Sequence, residues 1–404
     1  MAIEKKIKEL QSKLPSIKNI IVFDSTFDSW NLNSNYWIDF ELESVKFDHP
    51  IWVLFSSGTT GKPKAITHGT GGILLEQYKS HSLHQNIMNG DRFFWNTTTG
   101  WMMWNYALGS FLCGATLCLY DGSANFPDIG VQWRFAKEAK INHFGNGSPL
   151  FIASMKQNSK DVNNENLKFI KTIGATGSPL SIEAFKWLQK KLPTTQIISL
   201  SGGTDVCSAF IGGCPKLPVY AGFLQCNMLG ASIQAWDENG KSIKGKTGEL
   251  VITEPLPSMP VFFWGDENFE KYNDSYFSEN QEVWTHGDWI FIDELRGVLM
   301  QGRSDATLNR NGIRIGTSEI YSVLDGIKEI KDSLIIDLNI GSSSKLILFL
   351  ESEHELNKGF RSNIIKTIKS KCSPRHAPNL IFSISQVPYT ISGKKMEIPI
   401  KKIL

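Results

Sequence analysis

Apolar positions recur along this chain in two rhythms, one helical and one extended. Ile3, Ile7, Leu10 and Leu14 are spaced four, three and four apart with lysines between them, which predicts a helix with one apolar face. The apolar run at 20–23 predicts a buried strand. Together they read as a fragment of an α/β unit whose sheet takes other strands from elsewhere. Residues 25–48, rich in Asn, Ser and Asp, read as a surface connection. Ile51, Trp52, Val53, Leu54 and Phe55 contain no turn former and predict a second buried strand.

From 51 to about 300 the pattern predicts strands alternating with helices, and hence parallel sheets with helices outside. Strands are expected at 92–95, 116–120, 141–144, 167–173 and 196–200, and helices at 131–140 and 181–192, the latter capped by Ser181. Alternation from 229 to 253 around Asp237-Glu238-Asn239-Gly240 predicts a hairpin and an antiparallel sheet. After Gly302, strands at 330–338 and 345–351 and a helix at 355–371 make a small α+β domain. The expected architecture is α/β: a large domain of mixed, mostly parallel sheets with outer helices and a hairpin-rich subdomain, followed by the small α+β domain. Its parts are 1–48, 49–302 and 303–404. Most strands end at glycine or hydroxyl clusters, so these ends are expected to converge on one crevice.

Composition narrows the classes of function. The 404 residues carry a formal charge of +2 with acids and bases interspersed, so no basic field for nucleic acid is present. The six cysteines form neither a C-x-x-C pair nor a zinc-spaced cluster, which implies reduced thiols and a cytoplasmic location. No apolar run approaches the ~20 residues of a membrane span, and no signal peptide is visible.

The stretch Ser56-Ser57-Gly58-Thr59-Thr60-Gly61-Lys62-Pro63-Lys64 has the make-up of a phosphate cradle. Glycines let backbone N–H groups face an anion, hydroxyls add donors and lysines supply countercharge. Its spacing is not that of the common P-loop. It resembles instead the phosphate loop of the adenylate-forming synthetases, the superfamily that holds acyl-CoA synthetases and luciferases. Segments 97–105 (Thr-Thr-Thr-Gly-Trp-Met-Met-Trp-Asn), 201–207 (Ser-Gly-Gly-Thr-Asp-Val-Cys) and 257–266 (Pro-Ser-Met-Pro-Val-Phe-Phe-Trp-Gly-Asp) are most similar to the branch that activates acetoacetate.

That resemblance implies a two-step ligase using ATP, Mg²⁺ and CoA as co-substrate, with acetoacetate as the acid. By motif, Thr59, Thr60, Gly61 and Lys64 face phosphates, Thr204 the α-phosphate, and Asp205 holds Mg²⁺ where most relatives have Glu. Asp288 of Thr285-His286-Gly287-Asp288 and Arg303 take the ribose, and Asp305 is the hinge. Gly174, Gly177, Ser178 and Pro179 form the adenine slot, while Gly312 and Arg314 face phosphates. Lys394, in Pro388-Tyr389-Thr390-Ile391-Ser392-Gly393-Lys394, bridges carboxylate and α-phosphate. Acetyl-CoA synthetases close their pocket with a tryptophan two residues before the motif threonine. Here that position is Gly202, which implies room for a longer acid beside Gly203, Trp101, Trp104 and Asn105. Family members extend beyond both ends of this chain. A competing expectation is therefore a non-catalytic or half-enzyme subunit that pairs with a chain supplying the N-terminal part.

Overall fold

The computed structural model describes residues 2–17, 41–56, 63–280, 282–304, 308–310, 313–340, 343–390 and 395–404. Two compact units result, Met1–Val45 and Lys46–Leu404. In the first, the expected helix is Ala2–Lys13, and Leu10 and Leu14 stand exposed. The strand expected at 20–23 lies outside the described residues, as does 25–40 of the expected surface connection.

The second unit is built on a five-stranded parallel sheet ordered Thr116–Leu117, Arg92–Trp95, His143–Gly147, Thr172–Thr176, Gln196–Ser199. Alternation along these strands sends Phe94, Phe144, Ile173 and Ile197 to one face, where Trp133 and Phe151 from the covering helices meet them. Trp133 is fully buried, stacks on Phe144 at 4.6 Å, and donates its Nε1–H to Ser154 Oγ at 3.0 Å. The other face carries Phe93, Trp95 and Ile198 against Ile73, Met103 and Tyr106. Trp95 lies so close over Gly145 and Gly174 that a Cβ there would meet its ring at 2.0 and 2.6 Å. The amino ends of the strands are pinned by Asp91, which accepts from His143 Nε2 at 2.9 Å and pairs with Lys171 at 2.6 Å. The carboxyl ends remain for a ligand.

Three expected strands are corrected. Residues 167–173 were expected to be one strand, but a short helix Asn164–Leu167 precedes the strand Thr172–Thr176, because Asn163 caps it by accepting from Asn166 N–H at 3.0 Å. The expected strand at 141–144 begins instead at His143 and runs to Gly147. The apolar run at 51–55 is not a buried parallel strand. Among the described residues, Pro50–Phe55 is the edge of an antiparallel sheet with Ala65–Gly69 and Phe262–Phe263, and Phe55 is 64% exposed.

The expected hairpin is present in a five-stranded antiparallel sheet ordered Ser242–Ile243, Ile233–Trp236, Thr247–Ile252, Trp284–Ile292, Val298–Arg303. A further three-stranded sheet joins Ser201–Gly203, Ser208–Gly212 and Cys226–Asn227. The C-terminal region has Asp332–Ile340 antiparallel to Ser343–Glu351, which runs parallel to Leu380–Ser383. Helices Thr317–Asp325 and Lys358–Lys371 pack on it through Ile320, Leu324, Ile364 and Ile368. Asn357 caps the longer helix by accepting from Phe360 N–H at 2.9 Å.

Candidate functional site

A cleft of about 2860 Å³ opens beyond the carboxyl ends of the parallel strands. Five separated chain segments bring Lys64, Thr176–Pro179 (176–179), Gly202–Asp205 (202–205), Asp288 and Arg303 to its wall.

Asp205 sits at the centre of one group. It leaves the strand Ser201–Gly203 in a tight turn in which Thr204 C=O accepts from Cys207 N–H at 3.2 Å. Its Oδ1 accepts the Tyr276 hydroxyl at 2.6 Å and pairs with Lys64 Nζ at 3.3 Å. The same ammonium lies 4.7 Å over the Tyr276 ring. The Asp205 carbonyl contacts His68 Nε2 at 2.9 Å. Burial lowers the His68 pKa, so a neutral ring donates from Nε2. Burial and the Asp205 charge together keep the Tyr276 phenol protonated.

A second group surrounds Asp288. The hairpin register sets Asp288 directly opposite Arg303, with Nη1 to Oδ2 at 3.8 Å. Arg303 also donates to the His286 carbonyl at 3.4 Å. His286 Nε2 lies 3.5 Å from Asp288 Oδ2, and Trp284 donates its Nε1–H to His286 Nδ1 at 3.3 Å. Trp284 stacks flat on Tyr276, centroids 3.6 Å apart. An unbroken chain of contacts therefore joins Asp205 to Asp288 through Tyr276, Trp284 and His286. Beneath it, Glu249 accepts from Ser304 Oγ at 3.1 Å, and burial pushes its carboxyl up to about 7.

Gly177, at φ +85°, makes the backbone turn that Ser178 and Pro179 continue along the cleft. Trp101, Trp104 and Gly203 also line it. Gly174 and Asn105 do not. Gly174 is mid-strand beneath the Trp95 ring, and Asn105 sits on the helix Met102–Leu108 away from the opening. Gly202 lines the cleft, but its role differs from simple absence of a side chain. It pairs with Ala209, and a Cβ would come within 2.0 Å of Ser208 O and 2.5 Å of Ala209 Cα. Thr59, Thr60, Gly61, Asp305, Gly312 and Lys394 lie outside the described residues. Of Arg314 only the backbone is described, paired with Asn309.

Tyr276, His68, His286 and Glu249 are the additions that sequence motifs did not single out. His286 alone had a signal, its place inside the Thr-His-Gly-Asp segment.

Among the described residues no three His, Cys, Asp or Glu side chains are grouped to hold a metal. A lone carboxylate, Asp205, beside the Lys64 ammonium fits Mg²⁺, which binds through one or two carboxylates, water and substrate phosphates. No described helix is long and apolar enough to cross a membrane.

Residues 2–259 match the family model described as AMP-binding enzyme. Curated relatives include acetoacetyl-CoA synthetase from Gallus gallus, 38% identical over 99% of this chain and 63% of the relative. The acetoacetyl-coenzyme A synthetase of Rhizobium meliloti (strain 1021) is 40% identical over 90% of this chain and 56% of the relative. The chain thus spans less than two thirds of the length of these relatives. Among solved structures, acetoacetyl-CoA synthetase from Streptomyces lividans superposes with a TM-score of 0.88 at 38% identity, covering 99% of this chain and 63% of that one. The anthranilate CoA ligase AuaEII in complex with anthranoyl-AMP shares the fold, with a TM-score of 0.78 at 20% identity over 90% of this chain and 69% of that one.

Proposed function

The chain belongs to the AMP-binding enzyme family, and from this we propose that it is an ATP- and Mg²⁺-dependent acid–thiol ligase whose acid is acetoacetate. In the first step a carboxylate oxygen bonds to the α-phosphorus of ATP and the bond to the β-phosphate bridge breaks, releasing pyrophosphate. In the second, the CoA sulfur bonds to the acyl carbonyl carbon, its proton is lost, and AMP leaves.

Attack by one anion on another needs positive charge at the phosphoryl centre. Lys64 supplies part of it, and we assign the rest to Lys394 and Arg314. Asp205 is the carboxylate that would hold Mg²⁺, which shields phosphate charge when bound. Asp288 accepts from ribose hydroxyls, and Arg303, facing it across the hairpin, fixes its orientation. Gly177, Ser178 and Pro179 offer backbone to the adenine. The single observation that carries this reading is the convergence of Lys64, Asp205, Asp288 and Arg303 on one cleft from segments far apart in sequence. The similarity to acetoacetyl-CoA synthetases supports the choice of acid. We place the protein in the cytoplasm, where its free cysteines would stay reduced.

The test is acetoacetate-dependent release of pyrophosphate from ATP by the purified chain, with CoA then added and acyl-CoA followed. Turnover with acetoacetate above that with acetate is the expected result. A folded, ATP-binding chain that releases no pyrophosphate overturns the assignment of catalysis to this chain by itself.

A further inference from the structure

We infer that Tyr276 is a positioning residue for the Mg²⁺ carboxylate. This rests on the adenylation reading above and adds a residue to it. Three contacts carry it. The Tyr276 hydroxyl donates to Asp205 Oδ1 at 2.6 Å, short enough to mark a charge-assisted bond. The ring is clamped against Trp284 at 3.6 Å and an interplanar angle of 14°, so the hydroxyl is held in place from beneath. Its upper face meets the Lys64 ammonium at 4.7 Å, the same ammonium that pairs with Asp205.

An aspartate following Gly202-Gly203-Thr204 in a tight turn has two side-chain torsions to settle. The phenol and the Lys64 ammonium both hold Oδ1, while His68 anchors the Asp205 carbonyl at 2.9 Å. Tyr276 touches neither nucleotide nor acid in this scheme and acts through Asp205. Groups that orient a metal ligand in this way typically change metal affinity by ~10–100-fold when removed.

The experiment compares the full chain with Tyr276→Phe, which keeps the stacked ring and removes only the hydroxyl. A fluorescent ATP analogue is titrated with Mg²⁺ in the absence of acid and CoA, AMP binding is measured without metal, and melting temperature is measured without ligand. The expected result is a roughly tenfold rise in half-saturating Mg²⁺, with AMP affinity unchanged. Equal Mg²⁺ dependence in the two proteins overturns the inference, and so does a parallel loss of AMP affinity, which marks a merely structural role. If the wild-type protein binds the ATP analogue with no Mg²⁺ dependence at all, the adenylation reading itself fails. Should Tyr276→Phe not fold, Trp284→Phe loosens the ring while keeping the hydroxyl. A smaller rise in half-saturating Mg²⁺ is then expected, and no rise counts against the inference.

Discussion

Glu249→Gln separates the cost of a buried charge from the shape of the side chain that carries it. Burial holds the Glu249 carboxyl up to about 7 from an ordinary 4.5; the Ser304 hydroxyl opposes this, Glu279 and Asp288 reinforce it, and a bond from the Gly287 backbone opposes it. The folded chain keeps this proton up to about pH 7, whereas the unfolded chain releases it near 4.5. Below pH 4.5 both states are protonated and the group costs nothing. Between 4.5 and 7 the unfolded state alone gains by ionising, so stability falls as pH rises, and above 7 the loss is constant. At ~1.4 kcal/mol per pH unit, the interval amounts to about 3 kcal/mol, an upper bound for a side chain that retains some exposure. Glutamine keeps an oxygen for Ser304 and does not titrate. Urea unfolding of wild type and variant at steps from pH 4.5 to 7.5 is the assay, with the difference in midpoints as its readout. The expected difference is near zero at the acid end and grows in favour of glutamine toward neutrality. Parallel midpoint curves over the whole range would refute the argument.

Other expectations follow from contacts already described. Gly202→Ala forces a methyl against Ser208 O and Ala209 Cα, neither of which can rotate away, and is expected to destabilise by about 1–3 kcal/mol in urea unfolding. Trp133→Ala removes a fully buried indole and is expected to cost ~3–5 kcal/mol, read as a lowered unfolding midpoint. Lys394→Ala is expected to lower acetoacetate-dependent pyrophosphate release by ~10²–10³. Release at the wild-type rate would remove Lys394 from the proposed scheme.

The chain's rhythm made much of this fold legible, and the exceptions have physical causes. Arg92–Trp95 and Gln196–Ser199 are apolar runs ended by turn formers, and both are parallel strands as expected. The run 51–55 looks the same in sequence, but apolar content does not report how many neighbours a strand has. Among the described residues, Pro50–Phe55 stands at an edge and pairs on one side only. Leu167 read as strand because nothing in the apolar count registers Asn163, whose side chain starts a helical turn. The candidate site divides the same way. Lys64, Asp205, Asp288 and Arg303 sit in segments with a recognisable order of residue types. Tyr276 and His68 meet Asp205 from 71 and 137 residues away, and no local pattern encodes such a meeting. Gly202 was legible as a glycine but not as a contact. Only the pairing with Ala209 reveals that its neighbour across the ladder leaves no space for a side chain.

On the proposed function, the rung formed by Asp288 and Arg303 bears on retention of the activated intermediate. Both residues belong to one hairpin, and the backbone bond from Ser304 N–H to Gly287 O at 3.0 Å closes the ladder just after them. On that proposal, the contacts that would hold the ribose are complete within this hairpin, before residue 305. An activated intermediate would then be retained through its nucleoside by the hairpin alone, and its leakage would track the integrity of this single rung.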